Sequence, residues 1–239
     1  MEHQKKYKII YADPPWAYRN MGNIQATANA QYPTMQNEDI CKLPVNEIAD
    51  ENSILFLWAT FPKIQEALDV IRAWGFEYKT VGFVWIKKNK SGSNFFGVGW
   101  YTKSNAEVCL IGVKGKAPKI SNSISQIIEK ERGKHSKKPD IVRDKIVEFA
   151  GDIPRIELFA RQKVDGWDCF GNEVKSDVQL IANPSTSATP TFVSQKEFNM
   201  GLKVSATPTP KSPSATSPNP NIKSLNSQNE TKKTKKNKE

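Results

Sequence analysis

Across 239 residues the chain carries 35 Lys and Arg against 25 Asp and Glu, a formal charge of +10 at pH 7. Its three cysteines, Cys41, Cys109 and Cys169, lie too far apart for a disulfide framework or a clustered metal site, and neither a signal-peptide core nor the ~20 consecutive apolar residues of a membrane helix occurs. These exclusions leave a soluble intracellular protein, expected in the cytoplasm, whose basic balance points to a polyanionic partner.

Lys8 to Ala12 is an apolar run that predicts a short buried strand, and it ends by presenting Asp13, Pro14, Pro15 and Trp16. Asp13 can offer a carboxylate oxygen and Pro14 a backbone carbonyl, and the fixed φ of consecutive prolines limits the play between them. Two close acceptors suit a nucleobase amine, which must be held by both hydrogens and drawn toward tetrahedral geometry before it can take a methyl group. Trp16 would offer a flat face to the base. The competing reading is ordinary turn chemistry, with Trp16 anchoring the loop to the core; the position beyond a strand's carboxyl end favours a site. Ala17 to Met35 follows as a long polar stretch closed by Tyr32-Pro33-Thr34-Met35, where Tyr32 either faces the same pocket or packs on the surface.

Ser53 to Thr60 and Thr80 to Ile86 predict two further strands. Between them Thr60 is the expected N-cap of a helix with Pro62 in its first turn, Ile64, Ala67, Leu68 and Ile71 on one face, and Gly75 as its stop. Lys87, Lys88 and Lys90 lead into a second long stretch, Asn89 to Asn105, in which Gly97-Val98-Gly99 reads as a hinge. Glu107 to Val113 predicts a strand with Cys109 in the core. Lys116 to His135 is basic and irregular, with a short helix expected over Ile124 to Arg132. Lys130, Arg132, Lys134 and Lys137 join Lys87, Lys88 and Lys90 as the expected phosphate track.

A second helix is expected from about Lys138 to Ala150, with Val142, Ile146 and Phe149 on one face and Gly151 after it. Lys137 and Lys138 stand where positive charge opposes the helix dipole, so they either flank an anionic ligand or are ordinary surface lysines. Arg155 to Ala160 predicts the last strand. Arg161 follows at its carboxyl end, and Gly171-Asn172-Glu173 could set an amide and a carboxylate against a ribose diol. Strands alternating with helices imply an α/β fold with a mostly parallel sheet covered on both faces. From Ser176 onward come seven of the fifteen prolines, many Ser, Thr and Asn, and only Phe192 and Phe198 as aromatics. The expected division is therefore a folded domain over 1–175 and a disordered tail over 176–239 that ends in lysines. That tail either tethers the chain to polyanions or merely solubilises it.

Taken together, Asp13-Pro14-Pro15-Trp16, Tyr32-Pro33-Thr34-Met35, Leu55-Phe56-Leu57-Trp58, Val84-Trp85-Ile86-Lys87, Glu107 with Cys109 to Gly115, Ser136-Lys137-Lys138-Pro139-Asp140, Ile156 to Arg161 and Gly171-Asn172-Glu173 resemble the MT-A-type adenine methyltransferases, relatives of the catalytic subunit of the eukaryotic messenger-RNA methylation complex. The resemblance spans about Tyr7 to Val174. It implies a Rossmann-like methyltransferase fold with permuted motif order, S-adenosylmethionine as cofactor, and direct methyl transfer to the N(6) amine of adenine in nucleic acid. By that analogy Asp13, Pro14, Pro15, Trp16 and Tyr32 form the catalytic group. Lys138 would meet the cofactor's carboxylate, Arg161 and Asn172 its nucleoside, and Glu173 its ribose hydroxyls. DNA is favoured over RNA because the chain carries no recognisable RNA-binding module and the family has many stand-alone members that modify DNA. An RNA adenosine methyltransferase and a catalytically silent nucleic-acid-binding subunit are the alternatives, and a homo- or hetero-dimer is left open.

Overall fold

The computed structural model describes residues 5–18, 34–99, 101–133 and 137–181. Tyr32, Lys134 and residues 182–239, with the expectations placed on them, lie outside the described residues.

Among the described residues seven strands form one sheet in the order β5-β3-β4-β2-β1-β6-β7. They are β1 (Tyr7–Ala12), β2 (Ala49–Ala59), β3 (Glu77–Lys88), β4 (Ala106–Lys114), β5 (Ile127–Glu131), β6 (Arg155–Leu158) and β7 (Asp168–Phe170). β1 runs parallel to both β2 and β6, and β3 is parallel to β5 and β6 to β7. Of these described strands only β4 is reversed, antiparallel to β2 and β3. The chain belongs to the Rossmann-like α/β class anticipated from the alternation of elements. β1 from Ile9 and β2 from Ile54 are continuous apolar runs because both faces of a central strand are covered.

Alternate residues of each strand feed opposite cores. Ile10, Ala12, Leu55, Leu57 and Leu110 pack against α1 (Asn37–Cys41), α2 (Val45–Ile48) and α3 (Ile64–Ala73). Ile9, Tyr11, Phe56, Trp58 and Cys109 pack on the other face with Val142, Ile146 and Ala150 of α4 (Ile141–Ala150). The indole N–H of Trp58 donates to the buried Tyr11 hydroxyl at 2.7 Å, which satisfies both polar groups within that second core.

Several boundaries differ from expectation. Residues 124–132 contain the edge strand β5, not a helix: Ile128 is buried beneath the sheet while Glu129, Lys130 and Glu131 are exposed. A 3-10 turn, Phe61–Lys63, precedes α3, and the Thr60 hydroxyl bonds Tyr18 at 2.8 Å without capping it. α4 starts at Ile141, so Lys138 and Pro139 form its lead-in. The packed body also reaches past 175. Asp177 accepts the Cys169 backbone N–H at 2.9 Å and Leu180 is buried in the first core, so the fold continues to at least Leu180. Among the described residues no helix is long and apolar enough to cross a membrane.

Candidate active site

β1 is the strand from which the chain departs to β2 on one side and to which it returns through β6 on the other. The crevice beyond the carboxyl end of such a strand is where open α/β sheets bind ligands. Asp13 occupies that position, one residue beyond Ala12.

The turn after Asp13 is tightly made. The Trp16 N–H donates to the Pro14 carbonyl at 2.9 Å, the Met35 N–H to the Pro15 carbonyl at 2.8 Å, and the Ala17 N–H to the Met35 carbonyl at 3.1 Å. Met35 therefore brings the far end of the 17–35 stretch back onto the tetrapeptide. Tyr32 stands three positions before it in sequence, outside the described residues. Trp16 is only 6 % exposed and its indole N–H donates to the Trp58 carbonyl at 3.1 Å. Trp16 thereby fastens the loop to the core, the anchoring role that was the alternative read from the sequence.

Asp13, partly open to solvent, is one end of a chain of charges that runs inward to the buried Glu107. The Lys138 ammonium donates to both Asp13 oxygens, Oδ1 at 2.7 Å and Oδ2 at 2.8 Å, and lies 3.2 Å from Glu107 Oε2. Lys87 donates to Glu107 Oε1 at 2.6 Å. The two ammonium groups lie over the rings of Trp58 and Trp85, at 5.6 and 5.4 Å from their centroids. Two carboxylates and two ammoniums alternate, which makes their joint burial tolerable; any one alone would carry a heavy desolvation cost. Burial pushes the Asp13 carboxyl above its ordinary value against the opposing pull of Lys138. Burial pushes Glu107 the same way, but Lys138 and Lys87 outweigh it and hold that carboxyl low. Lys138 stays an ammonium: burial works against its charge, and Asp13 and Glu107 more than restore it.

Antiparallel pairing builds this arrangement. Glu107, the second residue of β4, lies opposite Trp85 of β3, so the acid meets Lys87 near the end of the neighbouring strand. A second network lies just beyond Lys138 in the chain. Arg143 of α4 grips Glu157 of β6 through two bonds, 2.7 and 2.8 Å, and donates to Asp140 at 2.6 Å, tying the start of the helix to the sheet.

The third part of the site is the end of β6 and β7. Phe159 adopts φ 63°, a conformation rare for a non-glycine residue, and its ring packs edge-on against Phe170 at 6.5 Å. The Ala160 N–H donates to the Phe170 carbonyl at 2.9 Å, and a Cβ on Gly171 would stand 2.1 Å from the Ala160 oxygen. Only glycine permits that approach, which brings Arg161 Nε to 3.6 Å from Glu173 Oε1 beside the exposed Asn172. Ala12 of β1 lies opposite Leu158 of the parallel β6, so Asp13 and Arg161 both follow the carboxyl ends of neighbouring strands and the two sequence-predicted clusters share one edge of the sheet. A cation, an amide and a carboxylate at the ends of adjacent parallel strands fit the polar parts of a nucleoside cofactor. The Lys138 ammonium, expected to meet a cofactor carboxylate, is here engaged by Asp13 and Glu107.

The expected phosphate track divides. Lys87 is withdrawn from it, since its side chain is 15 % exposed and bound to Glu107. Lys88 reaches Asn94 and Glu129, each at 3.0 Å, and Lys137 pairs with Asp140 at 2.7 Å. Lys90 and Lys130 are exposed, and the Arg132 guanidinium lies 3.6 Å above the Phe95 ring. A cavity of ≈ 590 Å³ beside α4 is lined by Asp140, Asp144, Glu148 and Asp165 against Arg143 and Arg155, an acidic excess that would repel phosphate. Sequence reasoning gives no role to Glu157 or Arg143, and for Glu107 it offers one signal beyond the family pattern, a charge at the head of an apolar strand.

A family model described as MT-A70 matches residues 7–173. The type II methyltransferase M.MunI of a Mycoplasma species is 36 % identical over 192 residues, which cover 72 % of this chain and 79 % of that protein. The N(6)-adenosine-methyltransferase MT-A70-like protein of Drosophila melanogaster is 26 % identical over 178 residues, 71 % of this chain and 27 % of its own. Human N(6)-adenine-specific methyltransferase METTL4 is 26 % identical over 193 residues, 73 % of this chain and 39 % of its own.

Proposed function

The chain belongs to the MT-A70 family of adenine methyltransferases, and on that premise we propose that it uses S-adenosylmethionine to methylate the exocyclic N(6) amine of adenine in DNA. The observation that carries the reading is the Asp13 carboxylate at the strand-order switch of the sheet, held by Lys138. S-adenosylmethionine would supply a methyl group activated on a sulfonium, with Arg161, Asn172 and Glu173 as its nucleoside contacts. Asp13 and the Pro14 carbonyl accept the two hydrogens of the amine. Pro14 already receives the Trp16 N–H, and its second lone pair is left for the substrate. The nitrogen becomes acidic only as its new bond forms, so Asp13 need only orient the amine and then receive a proton; positioning and electrostatics carry the catalysis. A carboxyl held above the ordinary Asp range receives that proton more readily than a solvated one.

DNA is favoured because the similarity to M.MunI, a type II methyltransferase, is the stronger and the more complete: 36 % identity through 79 % of that protein, against 26 % through 27 % of the fly N(6)-adenosine-methyltransferase. The test incubates the full chain and Asp13→Ala with methyl-labelled S-adenosylmethionine and matched duplex DNA, single-stranded DNA and RNA. N(6)-methyladenine in DNA that disappears in the variant supports the reading. Label confined to RNA reverses the substrate, and no label despite cofactor binding makes the chain a silent subunit.

A further inference from the structure

The segment between β3 and β4 is not the open hinge that its glycines imply. Asn89 to Ser93 turns the chain back so that Asn94 bridges Lys88 and the Phe95 N–H reaches the Lys87 carbonyl at 2.9 Å. A second hairpin follows, in which the Gly97 N–H donates to the Ser104 carbonyl at 2.8 Å and the Ser104 N–H to the Gly97 carbonyl at 3.3 Å. Gly97 and Gly99 make this closure: a Cβ would stand 2.5 Å from the Ser104 oxygen at the first and 1.9 Å from the Thr102 oxygen at the second. Arg132, laid on the Phe95 ring, fastens the base of the finger to the end of β5.

This preformed finger carries large apolar side chains outward, at 64 % exposure for Phe96, 76 % for Val98 and 94 % for Tyr101. Apolar groups held in water on a closed hairpin mark a contact surface. Its occupant is indicated by charge. Residues 88–106 contain Lys88, Lys90 and Lys103 and no Asp or Glu; beside them the end of β5 is balanced, with Lys130 and Arg132 against Glu129 and Glu131, and Lys88 pairs with Glu129, so the unpaired positive charge lies on Lys90 and Lys103 of the finger itself. A polyanion with apolar interior surface fits, and stacked base pairs between phosphate strands are such a surface. Position points the same way. The finger's two stems enter the sheet next to Lys87 and Glu107, the pair that reaches Asp13 through Lys138.

We propose that Phe96, Val98 and Tyr101 form a wedge that enters the base stack of duplex DNA and holds open the place vacated by the target adenine, while Lys90 and Lys103 meet the flanking phosphates. This inference rests on the DNA methyltransferase reading above. Rotating a paired base out of the stack costs a few kcal/mol, and a side chain filling the gap lowers that cost.

The experiment compares the full chain with Phe96→Ala, Tyr101→Ser, the triple variant with Val98→Ala, and the conservative Tyr101→Phe. Substrates are a matched duplex and the same duplex with the target adenine mispaired, with 2-aminopurine beside the target as a fluorescent report of base opening. On the matched duplex the triple variant loses about tenfold or more in kcat/KM and most of the fluorescence rise; on the mispaired duplex it keeps near-native turnover, because the mispair has already weakened the stack. Tyr101→Phe behaves as the parent. Equal loss on both duplexes, or no loss on either, overturns the wedge while leaving the methyltransferase reading intact. A parent chain that is dimeric and a triple variant that is monomeric by sedimentation would instead make the finger a contact between copies and overturn it. A parent that methylates no DNA defeats both.

Discussion

Two buried ionic networks meet near Lys138, and they are built from different cations. Arg143 presents a planar fork to Glu157, closes two parallel bonds, and turns its third nitrogen to Asp140 at the start of α4. Lys138 and Lys87 are point charges whose ammonium groups are shared among Asp13 and Glu107. A guanidinium in a bidentate clamp is committed to one geometry, whereas an ammonium on a flexible stem can exchange acceptors without leaving its site. The first network fixes α4 to β6. The second keeps a carboxylate charged at the mouth of the sheet and leaves it able to trade partners when substrate arrives. Charge burial alone does not mark a functional site; the marker is a buried charge whose partner can rotate.

That contrast predicts opposite failures. Asp13→Ala should lower methyl transfer by about 10²- to 10⁴-fold with little change in folding, read by nucleoside mass and by denaturant unfolding of the same sample. Arg143→Ala leaves Glu157 buried without its partner and should destabilise the fold by about 3–5 kcal/mol, while the molecules still folded retain transfer. A stability loss at Asp13 matched by a silent Arg143 would erase the distinction.

A pH profile tests the same contrast within the first network's neighbour. Asp13 must be ionised to accept the amine, so activity falls as pH drops through its folded pKa, and burial sets that limb above the ordinary value of about 3.9. Lys138→Met removes the pull that opposes burial and should move the acid limb to higher pH. Glu107→Gln removes a negative neighbour that raises Asp13 and should move it lower. The check is kcat against pH for both variants, and shifts of the same sign would show that Asp13 does not control the limb. The corresponding stability contributions differ in window. What Glu107 contributes is present above its unfolded pKa and fades as pH falls through its lowered folded value. What Lys138 contributes is full below its unfolded pKa and fades only as pH rises through its raised folded value.

A smaller effect belongs to the other half of the site. Gly171→Ala puts a methyl group against the Ala160 oxygen and must separate the ends of β6 and β7. Cofactor binding by calorimetry should weaken about tenfold, roughly the effect of 1.4 kcal/mol, with the Asp13 acid limb unmoved. A moved limb would join the two halves into one electrostatic unit.

What could be read from the chain alone followed from how local the cause was. Ile9 to Ala12, Ile54 to Ala59 and Val108 to Val113 announce buried strands because every residue in a central strand is covered. Asp13 was legible because its place depends only on the strand before it. β5 was not, since an edge strand with Glu129, Lys130 and Glu131 toward solvent lacks a distinguishing period. Lys87 read as a phosphate contact because its partner, Glu107, lies twenty residues away and meets it only through the β3–β4 register. The anchor of Trp16 is hidden for a similar reason: the carbonyl that captures its indole belongs to Trp58 of a neighbouring strand. Partner choice across a sheet is invisible to spacing along it.

The least effect is expected at the boundary of the folded body, and two truncations decide it. Ending the chain at Ile181 removes nine lysines and three carboxylates but keeps Asp177 on the Cys169 N–H and Leu180 in the core. Unfolding should be unchanged and turnover at saturating DNA retained, while the dependence of binding on salt flattens, by about 0.9 in log–log slope for each phosphate no longer neutralised. Ending it at Lys175 removes the same lysines and also uncovers the core beneath Leu180 and the backbone held by Asp177. Burial of one leucine side chain is worth about 1.5–3 kcal/mol, so only this shorter chain should unfold at lower denaturant. If both truncations unfold alike, residues 176–181 add nothing to the body. If neither alters the salt slope, the lysine-rich end does not touch DNA, and the finger and its neighbouring lysines meet the phosphates alone.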